Sequence, residues 1–343
     1  VGSHRRRAPS GSDRVAGTPG IAGITATVMS VAAAALGAVP AAAAPQDDTR
    51  AEVDRLYTQA EKATEAFNKA GERAGSLRRE VHTAQDRIAR QQERINTMRD
   101  ALGSLAGAQY RSGGLDPSLA LLFSDDPAEY LDKAAVLDRI SAHQAGELDD
   151  LQLAMRDLAQ EREEATAKLA ALERSSRAVA HHKRTVERKL AEARRLLNAM
   201  PDALREAYDR ASRSGRPGIP DLGGAVPSSG RAAAALAAAR SALGRPYVWG
   251  ANGPGGFDCS GLMQWSYARA GVGLPRTSQE QRYAGHQVPL SQARPGDLVT
   301  YRSDASHVAM YAGNGQVIHA PYPGAAVRYD PVGMMPISSV TRV

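Results

Sequence analysis

The chain of 343 residues is long enough for two domains, and its composition is divided: alanine, arginine and glutamate dominate the first two thirds, glycine, proline, tyrosine and valine the last. Its 43 lysines and arginines against 37 acidic residues give a formal net charge of +6, which suits work beside an anionic polymer or surface. Basic and aromatic residues are not interleaved, which argues against nucleic acid, and the single cysteine, Cys259, excludes a disulfide within the chain.

Residues 1–44 read as an export signal. Arg5, Arg6 and Arg7 form a basic start, Ile21 to Ala38 an apolar stretch of small residues, and Val39 to Ala44 a cleavage site of the A-x-A kind. The expected location is outside the cell. Residues 45–211 are expected to form an antiparallel coiled-coil hairpin. From Asp47 to Tyr110 there is no proline, and Val53, Leu56, Ala60, Ala63, Phe67, Ala70, Ala74, Leu77, Val81, Ala84, Ile88, Gln91, Ile95, Met98, Leu102 and Leu105 recur in steps of three and four. A second run, from Tyr130 through Leu148, Leu151, Met155, Leu158, Ala165, Leu169, Val186, Leu190, Ala193 and Leu197 to Met200, supplies the partner. Gly113-Gly114 stops the first helix, and the connector is too short to return along the rod, so the helices run antiparallel. Residues 212–229 are a proline, glycine and serine linker.

In residues 230–343 helical pattern comes first and short strands follow, which is an α+β order. Ser260 to Ala268 reads as a helix with Leu262, Trp265 and Tyr267 turned inward, so Cys259 falls at a helix N-terminus, where free N–H groups and the dipole favour a thiolate. A nucleophilic thiol needs an imidazole to hold its proton and a third group to orient that imidazole. His307 and His319 are the histidines on predicted strands. They share a face if Gly313-Asn314-Gly315 is a three-residue loop, pairing Ala312 with Gln316 and Ala309 with His319; a two-residue loop would put them on opposite faces. The histidines of the long helices lack ligand spacing, and no metal or cofactor is expected.

Arg245-Pro246-Tyr247-Val248-Trp249-Gly250, Asp258-Cys259-Ser260-Gly261-Leu262, Leu274 to Gln279, Arg294 to Val299, Ser306 to Tyr311 and Val317 to Ala320 occur in an order that resembles the NlpC family of papain-like cell-wall peptidases. The resemblance covers the last third and implies a papain-like α+β domain with Cys259 as nucleophile, His307 as base and His319 as polar third member. It also implies that Tyr247, Asp258 and Ser260 bind substrate, and that the substrate is the peptidoglycan stem, cut between D-glutamate and the following diamino acid. The rivals are an amidase of the same fold, which would free whole stems, and an idle scaffold or activator, against which the intact cysteine and histidines argue.

At the hairpin tip, Leu119, Leu121, Leu122 and Phe123 form an apolar group with little core to hide in, as a contact surface would. The layout is similar to coiled-coil wall hydrolases of the RipC and PcsB type, which implies an FtsEX-type membrane complex as partner.

Overall fold

The structure, a computed structural model, describes residues 44–111, 127–213 and 224–343. The expected export signal up to Ala43, the tip residues Leu119, Leu121, Leu122 and Phe123, and residues 214–223 of the expected linker lie outside the described residues. Among the described residues no helix is long and apolar enough to cross a membrane.

Helix α1 (Ala44–Arg111, 68 residues) is about 100 Å long at 1.5 Å per residue, and α2 (Pro127–Ala199) runs back along it. The seam of α1 follows the heptad reading: Val53, Leu56, Ala60, Ala63, Ala74, Leu77, Val81, Ala84 and Ile95 are buried. The seam of α2 departs from it. Ala154 and Leu158 are buried with Ile95, whereas Leu148, Met155 and Leu169 are exposed. The departure is local: Gln91 donates its amide to the Ala154 carbonyl at 3.3 Å, while Leu158, Ala165, Val186, Leu190, Ala193 and Met200 are buried as expected. A short helix, α3 (Asp202–Arg213), follows Pro201 and returns Tyr208 to the hairpin, where its hydroxyl meets Asp54 at 3.0 Å.

The C-terminal domain begins with α4 (Gly230–Ser241), capped by Ser229, continues with α5 (Cys259–Arg269) and the single-turn α6 (Ser278–Gln281), and ends in strands. These are β1 (His286–Val288), β2 (Leu298–Tyr301), β3 (His307–Gly313), β4 (Gln316–His319), β5 (Arg328–Pro331) and β6 (Ile337–Arg342). They form one antiparallel sheet in the order β1-β6-β2-β3-β4-β5. Leu262, Met263 and Tyr267 of α5 pack with Leu236 of α4 and with Leu298, Val308, Met310 and Ile318 of the sheet. Each such apolar side chain contributes about 1.5–3 kcal/mol on burial, enough to fix the helix that carries the cysteine. Trp265 is only partly buried, tilted against Phe257 at 5.1 Å between rings.

The hairpin between β3 and β4 reaches the expected register by another turn. Gly313 pairs with Gln316, leaving the two-residue loop Asn314-Gly315, both at positive φ (48° and 66°). An irregularity between Tyr311 and Gly313 then inserts one residue, so Tyr311 pairs with Val317 and Met310 with Ile318. The extra residue restores the parity that a two-residue loop alone would have lost. His307 and His319 therefore lie on one face, at the start of β3 and the end of β4.

Helix α1 also packs on this domain. Tyr57 stacks on Tyr322 at 5.2 Å, and Phe67 meets Trp249 edge-on at 5.2 Å. Between those two contacts Glu61, Thr64, Glu65 and Asn68 are buried, a second, polar face at helical spacing.

Candidate active site

Asp258 stands at the N-cap of α5 in extended conformation and accepts from the Gly261 N–H at 2.7 Å, so Cys259 opens the helix. The same carboxylate takes a two-pronged ion pair from the buried Arg276 at 3.0 and 2.6 Å and a bond from the Gly250 N–H at 3.0 Å. Asp258 thus ties together the cap, the loop after Tyr247 and the segment before α6. Gly261 is needed here, because a Cβ would come within 2.2 Å of the Ala251 carbonyl oxygen. Tyr247 is buried near the thiol, and burial first, then the proximity of Cys259, pushes its phenol up.

Behind the cysteine is a chain of polar groups. The second ring nitrogen of His307, Nε2, lies 2.8 Å from His319 Nδ1, and His319 Nε2 lies 2.8 Å from an Asp330 oxygen. Burial pulls His319 down to about 4, so at neutral pH it is uncharged and carries a single ring hydrogen. Although burial works against it, His319 and then Arg328 hold Asp330 below its ordinary value, as a carboxylate. The lone hydrogen of His319 therefore points at Asp330, and His319 Nδ1 must accept from His307 Nε2–H. That leaves His307 Nδ1 as the nitrogen on the side of Cys259 Sγ and Glu61, within 4.8 Å of both. Asp330 was not singled out from the sequence, since Arg328-Tyr329-Asp330 is too short and charged to stand out as a strand.

Helix α1 covers this apparatus. Glu61 reaches His307 Nδ1 with one oxygen and accepts from Arg302 at 2.6 Å with the other. Burial works against its charge, but His307 and then Arg302 hold its carboxyl below the ordinary value, so Glu61 is a carboxylate facing His307 Nδ1. One turn on, Glu65 accepts from the Ser260 hydroxyl and the Ser278 N–H, both at 2.7 Å, and lies 3.8 Å from Cys259 Sγ. Asn68 donates to Asp258 at 3.1 Å, and Lys62 pairs with Asp304 at 2.7 Å. Arg302 takes a left-handed backbone conformation (φ 64°), unusual for a residue with a side chain.

The expected thiolate is not favoured in this arrangement. Burial, then the carboxylates of Glu65, Glu61 and Asp258, push the Cys259 thiol up, with the Val308 backbone N–H acting the other way. The helix N-terminus is present, but acidic side chains sealed over it outweigh the dipole. The fold also brings together a ligand set that sequence spacing could not show. Donor atoms of Glu61, Cys259 and His307, all buried, lie within 4.8 Å of one another.

A thiol at a helix start, a histidine nitrogen within 4.8 Å of it and a second ring bonded to the first are the parts a cysteine hydrolase uses, and the C-terminal domain is of that class. Residues 244–341 match the NlpC/P60 family. A Mycobacterium tuberculosis (H37Rv) protein named "Probable endopeptidase Rv2190c" is 31% identical, across 84% of this chain and 87% of its own. "Probable endopeptidase p60" of Listeria monocytogenes is 50% identical over 97 residues, 28% of this chain and 20% of that protein. The crystal structure of the NlpC/p60 domain of the peptidoglycan hydrolase SagA is 37% identical, covering 33% of this chain and 98% of that one, with a TM-score of 0.31. The chain belongs to the NlpC/P60 family and is a cysteine endopeptidase.

Proposed function

We propose that this chain is a secreted, wall-associated peptidoglycan endopeptidase that cuts the stem peptide between D-glutamate and the diamino acid, and that its first helix holds it latent. The observation that carries the reading is the run Cys259, His307, His319, Asp330 with Glu61 and Glu65 lying over it. With the helix away, Cys259 gives its proton to His307 Nδ1 and attacks the scissile carbonyl. The proton passes to the leaving amine of the diamino acid, and water, deprotonated by the same nitrogen, hydrolyses the thioester. His319, oriented by Asp330, accepts from His307 throughout. Ser260, the Ser278 N–H and Tyr247 are left facing the vacated space to bind the stem, while Asp258 keeps Arg276 and the loop in place.

Latency needs a release, and the hairpin tip at Leu119, Leu121, Leu122 and Phe123 is the proposed contact for an FtsEX-type membrane partner, whose pull on α1 would be transmitted along the rod. Digestion of purified peptidoglycan, with mass analysis of the muropeptides, tests the reading. The expected products retain an L-alanyl-D-glutamate dipeptide on the sugar, and the isolated 230–343 piece works faster than the full chain. Release of whole stems would mean an amidase instead.

A further inference from the structure

We propose that the seated helix completes a binding site for a soft divalent cation, zinc by preference, formed by Cys259 Sγ, His307 Nδ1 and the Glu61 oxygen that faces them, and that the bound ion locks the closed form. The proposal rests on the latent reading above, since Glu61 comes from α1 while the other two ligands come from the catalytic domain.

Geometry is the first support. The three donor atoms lie within 4.8 Å of one another and are all buried. Zinc–ligand lengths of about 2.0–2.3 Å in a tetrahedral site put donors roughly 3.3–3.7 Å apart, so the Glu61 oxygen and His307 Nδ1, now in direct contact, must draw apart to admit the ion while Cys259 Sγ stays within the same small volume. Each ligand comes from a different element, α1, α5 and β3, which lets them converge from separate directions. The partners behind the ligands are also in place. His307 Nε2 is committed to His319, which is itself held by Asp330, so Nδ1 is the nitrogen on offer. One Glu61 oxygen is held by Arg302 at 2.6 Å, which turns the other toward the histidine.

Charge and chemistry point the same way. Glu61, Glu65, Asp258 and Cys259 crowd one buried volume, and Arg276 and Arg302 both lie on the far side of carboxylates they already pair. A thiolate, an imidazole and one carboxylate select zinc over magnesium or calcium, and three protein ligands leave the fourth position for water. A cleft of about 310 Å³ lined by Glu61, Arg302 and His319 among others reaches the Glu61 side of this ligand set. Binding displaces the thiol proton to solvent and uses the His307 Nδ1 lone pair, with no redox change. It removes the nucleophile and the base together, and by linkage an ion at a hundred times its dissociation constant favours the closed form about 100-fold.

Titration of the metal-free full chain with cobalt(II), read at the thiolate-to-cobalt charge-transfer band and followed by zinc competition, tests this without any assay of turnover. One ion per chain is expected. The band should vanish in Cys259→Ala, and affinity should fall by about 100-fold or more in Glu61→Gln, since loss even of an outer partner costs 10- to 100-fold. Glu61→His guards against the chance that Gln merely unseats the helix: it offers a ligand but cannot pair with Arg302, and it should keep the band. An ion held as tightly by Glu61→Gln as by wild type would overturn the proposal, because the helix would then supply no ligand. So would no binding at all, or loss of the band in both Glu61 variants. None of these results bears on whether the unclamped domain cuts peptidoglycan, which the digestion above decides separately.

Discussion

Removing the Glu61 carboxylate should open the closed form, and the structure sets the size of the effect. Glu61 makes two charge-assisted contacts, to His307 Nδ1 and to Arg302, and is 5% exposed. Such bonds contribute about 1.5–3 kcal/mol each, net of the water regained on opening. Arg302 is 22% exposed and can rehydrate when its partner is gone, so its share belongs at the low end. A total of about 3 kcal/mol shifts the closed-to-open ratio roughly 150-fold. In initial-rate assays on dye-labelled peptidoglycan, with chelator present to keep the metal question apart, full-length Glu61→Ala should therefore climb toward the rate of the 230–343 piece. Glu52→Ala, on the same helix with an exposed partner in Arg55, should leave the rate unchanged. A Glu61→Ala rate within twofold of wild type, beside a fast isolated domain, would refute the reasoning and move the restraint to the aromatic contacts of Tyr57 and Phe67.

The catalytic groups give sharper expectations. Cys259→Ser should lose nearly all turnover with an unchanged melting curve, because an alkoxide demands a stronger base. His307→Ala should be as inactive, while His319→Gln should keep measurable activity by still accepting the Nε2 hydrogen. Asp330→Ala should lower kcat of the isolated domain by about 10- to 100-fold with little change in KM, since His319 can then turn its hydrogen toward His307; an unchanged kcat would remove Asp330 from the relay. Latency should also weaken with rising pH. The Glu65 carboxyl, pushed up to about 7 by burial and then by Asp258, binds its proton more tightly closed than open, where the ordinary value is 4.5. The closed form is thus fully favoured below about 4.5 and loses ground as pH rises through 7. With chelator present, the full-chain rate relative to the isolated domain should rise from pH 5 to pH 8, and Glu65→Gln should flatten the rise.

What could be read from the residues was whatever repeats or sits in a motif. The α1 seam was legible because apolar positions at heptad spacing have few alternatives, and the cysteine helix because Asp258 is both a motif residue and a cap. The hairpin reading reached the right face for His307 and His319 through the wrong turn, since a one-residue insertion near Ala312 and a three-residue loop change parity equally. Leu148, Met155 and Leu169 look like seam residues but are exposed, although Leu158, Ala165, Val186 and Leu190 of the same stripe are buried. Glu61, Glu65 and Asn68 were invisible for a different reason. On a helix rich in glutamate, acids off the apolar stripe look like a solvated face, and only the tertiary contact distinguishes them.

That invisibility follows from what a reversible clamp requires. An apolar face on α1 would have bound the domain by burying area, at about 25 cal/mol for each Å², and would have been hard to remove and prone to aggregate when removed. Carboxylates work differently. Burying Glu61 and Glu65 carries a desolvation cost of several kcal/mol each, offset by Arg302, His307, Ser260 and the Ser278 N–H, so the gross interaction is large and the net one small. The same groups set specificity, since the helix satisfies catalytic-domain donors that are present for substrate and base chemistry in any case. On the proposed latent reading, once α1 shifts both acids regain water, and the apolar surface uncovered is confined to the flanking Tyr57–Tyr322 and Phe67–Trp249 contacts. The polar face thus makes closure selective for one register of the rod, and it lets a modest force along that rod undo it.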